Sequence, residues 1–298
     1  MGKLDGKVAV VTGSGRGIGR GVVRLMAAEG AKVVVNDLGG SVDGDGEDKA
    51  PAQLVAEQIS ATGGEAVAST DNIATVTGGE SLVQTAVDSF GKIDILVNCA
   101  GILRDRMIFN MTEEEWDSVV AVHLKGHYCT IRPASAQMRR QKSGRIINFS
   151  SGSALGAPGQ PNYAAAKAGI LGLTYSSANA LAKYNITCNA ILPGAATRMT
   201  DTIPANFAQE MGLSENSGSA QGSPLDPGNV APIVIFLASD EAHYVNGQAF
   251  GASGYKISLY SHLKPEKTIY SQGPWDLDHL FKVFKGTLGS GLKAPRME

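Results

Sequence analysis

Tyr163 and Lys167 stand four residues apart in a stretch with helical spacing, so their side chains share one face. An ammonium beside a phenol favours the phenolate and lowers the tyrosine pKa, which would let Tyr163 exchange a proton near neutral pH. Ser150 closes the strand-like run before this helix, and its hydroxyl could hold a substrate oxygen. The spacing alone is also that of a plain surface pair. A second cluster, Thr12-Gly13-Ser14-Gly15-Arg16-Gly17-Ile18-Gly19, lies between an apolar run and a helical stretch. Glycines there let the backbone approach a diphosphate, and the helix N-terminus offers free N–H groups to it. The position between a first strand and a first helix turns a weak motif into an expected dinucleotide site.

Asp37, followed by Leu38, ends the next β-branched run. A carboxylate at that point accepts from ribose hydroxyls and repels a 2′-phosphate, which favours NAD over NADP. Arg16 points the other way, because a guanidinium could pair with that phosphate. Asp37 lies beside the discriminating group, so NAD is the expected cofactor. As a plain turn residue before Gly39-Gly40 it would say nothing. Asp71 and Asn72 are either adenine contacts or simple turn residues.

These residues need strands and helices to hold them. Strand-like runs at Lys7–Val11, Lys32–Asp37, 65–70, Lys92–Asn98, Gly144–Phe149, Ile186–Leu192 and Gln248–Phe250 alternate with helical stretches. The helices are expected at Gly17–Glu29, 48–62, 80–90, 112–140 (despite Pro133), Asn162–Lys183 and 227–239. Alternation of this kind predicts an α/β fold, a Rossmann-like, doubly wound parallel sheet in a single domain. Three stretches break it. Residues 38–47 form a glycine-rich insertion, read as a turn because its DGDG lacks the ligand spacing of a calcium loop. Residues 195–224 are expected to form the substrate loop. The domain then spans residues 1–254, with a C-terminal extension at 255–298.

Composition bounds the function. The chain has 298 residues, 43% of them hydrophobic, with 26 basic and 28 acidic side chains. A net charge of −2 argues against a protein built to bind nucleic acid. No apolar run reaches the roughly 18 residues that span a bilayer, and no signal-peptide core, lipidation motif or peroxisomal signal is seen, so no membrane partner and a cytoplasmic location are expected. Cys99, Cys129 and Cys188 read as reduced thiols. His123 and His127 share a helix face without an evident third ligand, and no metal is expected.

The ordered set TGSGRGIG, Asn98-Cys99-Ala100-Gly101, Ser150, Tyr163-Ala-Ala-Ala-Lys167 and Pro193-Gly194 resembles the short-chain dehydrogenase/reductase family over about residues 4–254. The resemblance implies that Ser150 orients the reacting oxygen, Tyr163 is the acid/base, and Lys167 holds the nicotinamide ribose. It further implies cofactor contacts from Gly13, Ser14, Arg16, Gly17, Ile18 and Gly19, from Cys99, Ala100 and Gly101, and from Pro193, Gly194, Ala196 and Thr197. The family's usual Asn-Asn-Ala-Gly is Asn-Cys-Ala-Gly here, and its helix asparagine falls on His123, which titrates near neutral pH and takes a supporting role. A homotetramer or homodimer built on helices 112–140 and 162–183 is implied.

VVVNDLGG, AGILRDR, His123-Leu124 and TRMT together are similar to the (3R)-hydroxyacyl-CoA dehydrogenase part of the peroxisomal multifunctional enzymes, a 17β-hydroxysteroid dehydrogenase-like branch. That implies an acyl-CoA or steroid substrate in lipid breakdown and a stand-alone bacterial relative. The alternatives are an NADPH-dependent 3-oxoacyl-[acyl-carrier-protein] reductase and a non-catalytic NAD-binding sensor or scaffold. The extension carries seven basic and four acidic residues, including Lys264, Lys267, Lys282 and Lys285. Either it covers the acyl pocket or a neighbouring subunit, or it packs on its own core and hides Trp275, Phe281 and Phe284.

Overall fold

The computed structural model describes residues 2–203 and 216–293. The β-branched runs form β1 (Val8–Thr12), β2 (Lys32–Asn36), β3 (Ala66–Ser69), β4 (Ile95–Asn98), β5 (Gly144–Phe149) and β6 (Ile186–Gly194). With β7 (Ala249–Ser253) and β8 (Lys256–Leu259) they build one eight-stranded sheet, ordered β3-β2-β1-β4-β5-β6-β7-β8. Every pairing is parallel except β7 with β8. Period-two alternation divides the strands between two cores. Ala9, Val11, Val33, Val35, Ile95, Val97, Ile147 and Phe149 pack on one face against α1 (Gly17–Ala28), α2 (Ala50–Ala61) and α7 (Ala231–Ala238). Val8, Val10, Val34, Leu96 and Ile146 pack on the other against α3 (Val76–Phe90), α5 (Gly126–Gln141) and α6 (Pro161–Leu181). Burial on both faces is why these strands read as unbroken apolar runs.

The strand order reverses between β1 and β4, and loops from both open a crevice there. The Thr12 hydroxyl ties the two loops together, accepting from the Cys99 and Ala100 N–H groups at 3.0 and 3.1 Å. A buried polar ladder crosses the second core beneath this point. Thr130 donates to Asn98 (2.7 Å), Asn98 to Asn148 (3.0 Å), and Asn148 to Thr174 (3.0 Å), so α5, β4, β5 and α6 are linked side chain to side chain.

Several boundaries differ from the sequence expectation. The helix expected over 112–140 is three segments: α4 (Glu113–Val120), a π-helical turn over Ala121–Lys125, and α5, which accommodates Pro133. A capping box fixes the start of α4, with Thr112 and Glu115 each accepting from the other's N–H, an arrangement worth about 1 kcal/mol. Helix α3 begins four residues before the expected 80, because Thr75 caps it by accepting from the Gly78 N–H. The strand expected over 92–98 is confined to β4, and the last expected strand extends to Ser253 and pairs with the unforeseen β8.

The tail beyond β8 forms α8 (Leu277–Phe284), and its aromatic residues are not hidden on the chain's own core. Trp275 and Phe284 are each 43% exposed and Phe281 76%. Helix α8 buries none of its residues, so it contributes little to the stability of the single chain. Part of the substrate loop expected at 195–224, namely 204–215, and the end of the extension, 294–298, lie outside the described residues. Among the described residues no helix is long and apolar enough to cross a membrane.

Candidate active site

The crevice is built from backbone. Gly13 has φ +63°, and a Cβ there would stand 2.6 Å from the Ala100 Cα, so only glycine lets the two loops close. Arg16 precedes α1 in an extended conformation and no side chain caps the helix. No capping side chain competes with an anion at the start of α1, and the helix dipole adds to the attraction. Asp37 follows β2. Its Oδ2 accepts from the Gly15 N–H (2.9 Å) and its Oδ1 from the Gly39 N–H (2.8 Å), which holds the carboxylate at the crevice wall. Each oxygen keeps a second lone pair for a ligand hydroxyl.

Of the expected cofactor residues, Gly13, Arg16, Gly17, Ile18, Gly19, Asp37, Leu38, Asp71, Asn72, Cys99, Ala100, Gly101 and Thr197 line this crevice. Ser14 does not: it is fully buried, with its Oγ donating to the Val11 carbonyl. Pro193, Gly194 and Ala196 lie outside the crevice lining; Gly194 is pressed against Ser253, and Ala196 is buried with its N–H on the Leu225 carbonyl. Asp71 and Asn72 line the wall and also do turn work, Asp71 accepting from the Ser69 hydroxyl and Asn72 from the Ala74 N–H. Arg198, unforeseen, joins Arg16 in the lining.

The expected acid/base group sits at the N-terminal end of α6. Lys167 is buried and its Nζ donates to the Phe149 carbonyl at 2.6 Å. The ammonium stands 5.4 Å from the centre of the Tyr163 ring. Burial with few partners pulls Lys167 down to about 8. Tyr163 departs from the sequence expectation: burial pushes its phenol up to about 12, and the neighbour that works against this is the Ser151 hydroxyl, not Lys167. The cause is placement, since the ammonium is spent on a carbonyl and lies over the ring.

The structure also separates the two adjacent serines. Ser150 continues the strand, its N–H on the Ile191 carbonyl, and strand alternation turns its side chain toward α6. There its Oγ donates to the Lys167 carbonyl at 2.8 Å, with the residue 1% exposed. The hydroxyl that meets Tyr163 belongs to Ser151, which begins a short helical turn and accepts from the Ser153 N–H. His123, on the π-turn, lies edge-on to Tyr163 with ring centres 5.0 Å apart. Its Nε2 is 2.8 Å from the Ile102 carbonyl and 3.1 Å from the Ile102 N–H. Burial first and the Lys167 ammonium second hold His123 well below 6.5, so it stays neutral where a titration near neutral pH was expected. His127 is likewise held near 3, its Nδ1 on the His123 carbonyl. Among the described residues no three His, Cys, Asp or Glu side chains gather as a metal site.

The family model for short chain dehydrogenases matches residues 7–208. The chain belongs to the short-chain dehydrogenase family. Family members bind nicotinamide cofactors, and the glycine turn, the uncapped helix and the Asp37 carboxylate suit the diphosphate and ribose of such a group. The chain is 42% identical to the hydroxyacyl-CoA dehydrogenase ChsB1 of Mycobacterium tuberculosis over 287 residues, 92% of this chain and 86% of that one. It is 42% identical to the peroxisomal multifunctional enzyme type 2 of Drosophila melanogaster over 259 residues, but spans only 41% of the fly protein's length. A 3-oxoacyl-[acyl-carrier-protein] reductase of Staphylococcus aureus is equally 42% identical, over 250 residues and 97% of its length. A crystal structure of a short chain dehydrogenase from Mycobacterium avium superposes with a TM-score of 0.83 at 42% identity, covering 99% of this chain and 98% of the other.

In this short-chain dehydrogenase the glycine loop and Tyr163-Lys167 were legible as motifs. Ser151 and Arg198 were not. Counting period two from Ile147 and Phe149 would have put Ser150 with Asn148 on the face toward α6, where its hydroxyl meets the Lys167 carbonyl. Arg198 sits in an irregular stretch with no pattern to read.

Proposed function

We propose that this short-chain dehydrogenase oxidises a secondary alcohol of the (3R)-hydroxyacyl-CoA type with NAD⁺, in the breakdown of fatty acyl chains or steroid side chains. The observation that carries the cofactor choice is the Asp37 carboxylate, fixed by two backbone N–H groups at the end of β2, where a 2′-phosphate would meet it. The name of the mycobacterial relative, a hydroxyacyl-CoA dehydrogenase, supports the substrate class.

In the proposed reaction Tyr163, as phenolate, takes the proton from the substrate hydroxyl. Ser151 holds the same oxygen and favours the phenolate. Lys167 keeps a positive charge under the tyrosine ring and offers its ammonium to a ribose hydroxyl. A nicotinamide bound in the crevice would supply the hydride acceptor and a positive charge that favours the phenolate. His123 braces the Tyr163 ring without titrating. The proposal keeps a cytoplasmic homotetramer or homodimer, with residues 1–254 as the dehydrogenase domain and 255–298 as its extension.

A second reading has a specific observation behind it. Arg16 and Arg198 both line the crevice, and Arg16 reaches only long contacts, 3.4 Å to the Gly40 carbonyl and 3.9 Å to Asp48. Two guanidiniums in the crevice lining suit an NADPH-dependent 3-oxoacyl reductase. Initial rates decide, with a (3R)-hydroxyacyl-CoA as substrate and NAD⁺ or NADP⁺ as cofactor, and a 17β-hydroxysteroid in parallel. NAD⁺-dependent acyl-CoA turnover is expected. NADP⁺ preference would put the reductase first, steroid turnover alone would displace the acyl-CoA, and cofactor binding without turnover would leave a sensor.

A further inference from the structure

We propose that the insertion after β2 is a strap over the dinucleotide crevice, and that Arg104 couples its closure to the helix carrying Tyr163. The inference rests on reading the crevice as the dinucleotide site. Ser41, Val42 and Gly44 of the insertion line the crevice opposite the glycine turn. The strap is folded on itself, with the Ser41 N–H on the Asp45 carbonyl and the Gly44 N–H on the Ser41 carbonyl. Among the described residues, its ties to the glycine turn are at its base, through Asp37 between the Gly15 and Gly39 N–H groups and through the long Arg16 contacts. Its firm anchor is the segment after β4: the Leu103 N–H donates to the Val42 carbonyl at 2.9 Å.

Arg104 makes this anchor a three-way clasp. Its Nε donates to the Asp43 carbonyl (2.9 Å), one Nη to Asp45 (2.8 Å), and the other Nη to Glu114 on α4 (2.9 Å). The guanidinium is 19% exposed, whereas Asp45 and Glu114 are 74% and 80% exposed. A planar fork can hold a strap carbonyl, a strap carboxylate and a helix carboxylate at once; a lysine cannot. The backbone of the same residue faces the other way. The Arg104 carbonyl accepts from Asn162 Nδ2 at 2.9 Å. Asn162 is fully buried, donates also to the Glu115 carbonyl, and accepts from the Tyr163 N–H at 2.7 Å. Strap, clasp and acid/base are therefore joined by consecutive hydrogen bonds. Opening the strap removes crevice wall from the dinucleotide, so the closed state binds more tightly and releases more slowly.

Arg104 is thus a positioning residue, and its loss is read on the cofactor itself. NADH is titrated into the full-length protein by nicotinamide fluorescence, and its release is timed by displacement with excess NAD⁺; NADPH is run in the same way. If the closed fraction falls to about a tenth in Arg104→Ala, the NADH dissociation constant rises about tenfold, carried by the release rate. The steady-state change falls mainly on KM for the dinucleotide rather than on kcat. Arg104→Lys restores part of the affinity, and Asp45→Asn and Glu114→Gln each give a smaller shift in the same direction. An Arg104→Ala protein with parental NADH affinity and release rate overturns the proposal, whatever its melting temperature. If that variant does not fold, Asp45→Asn and Glu114→Gln decide, and parental release in both overturns it. Failure of both NADH and NADPH to bind the parent overturns the dinucleotide reading of the crevice and the strap with it, whereas weak NADPH binding alone is what Asp37 predicts; since no substrate is present, a wrong acyl-CoA assignment leaves the result standing.

Discussion

Replacing Lys167 by methionine tests whether the buried ammonium is held at the expense of stability. Lys167 is 4% exposed and its pKa falls from 10.5 to about 8 on burial. Below pH 8 both folded and unfolded chains carry the charge, and the full burial penalty stands. Between pH 8 and 10.5 the folded chain loses its proton first, so stability rises with pH; above 10.5 the penalty is gone. A shift of this size corresponds to at most about 3 kcal/mol, taking roughly 1.4 kcal/mol per pKa unit. Methionine has a similar length and no charge, and it forfeits the bond to the Phe149 carbonyl, worth about 1.5–3 kcal/mol to a charged donor. The offset between the two proteins at pH 7 is therefore small. Its pH dependence is not: the parent should gain up to about 3 kcal/mol relative to Lys167→Met between pH 7 and 10.5. Melting temperatures of both cofactor-free proteins at pH 7, 8, 9 and 10 measure this, and other titrating groups cancel in the difference. A difference that stays flat across the range would refute the claim that burial depresses Lys167.

Ser151→Ala should lower kcat/KM by about 10²–10³ in the hydroxyacyl-CoA assay, while Ser150→Ala chiefly lowers the melting temperature, by the equivalent of about 1 kcal/mol; the reverse ranking would return the oxygen-holding role to Ser150. Asp37→Ser should raise the NADP⁺-to-NAD⁺ ratio of kcat/KM by about ten- to hundredfold, and an unchanged ratio would shift cofactor choice to Arg16 and Arg198. Gly101→Ala places a Cβ 2.3 Å from His123 Cε1 and should cost about 1–3 kcal/mol in urea unfolding. Parental stability there would mean that His123 moves freely and does not brace Tyr163.

The fold was legible because its strands are buried on both faces and its glycine turn sits where β1 becomes α1. Valine-rich runs at 8–12 and 32–36 admit few other readings. The grouping of Tyr163, Lys167 and a serine was legible as a motif. Helix spacing puts Tyr163 and Lys167 on one face and the set of motifs singled them out, but Ser150 and Ser151 are the same side chain to a motif, and only the pleat separates them. The effect of Lys167 on Tyr163 was not legible because spacing sets neighbours and not direction; the lysine bonds a carbonyl contributed by β5. Local pattern is equally blind to the π-turn at 121–125, where one helical stretch changes pitch, and to β8, which exists only because β7 gives it an edge to pair with. The sequence left open whether the extension covers something or packs on its own core; among the described residues α8 buries none of its side chains.

The ladder from Thr130 through Asn98 and Asn148 to Thr174 bears on how this chain can change over generations. Each rung satisfies the next, so replacing any one by an apolar residue strands its neighbour's donor or acceptor in the dry interior. A fully apolar set could be just as stable, but every single step toward it passes through a less stable protein. The four positions are therefore expected to change together, so that sequences differing here should have all four rungs altered or none.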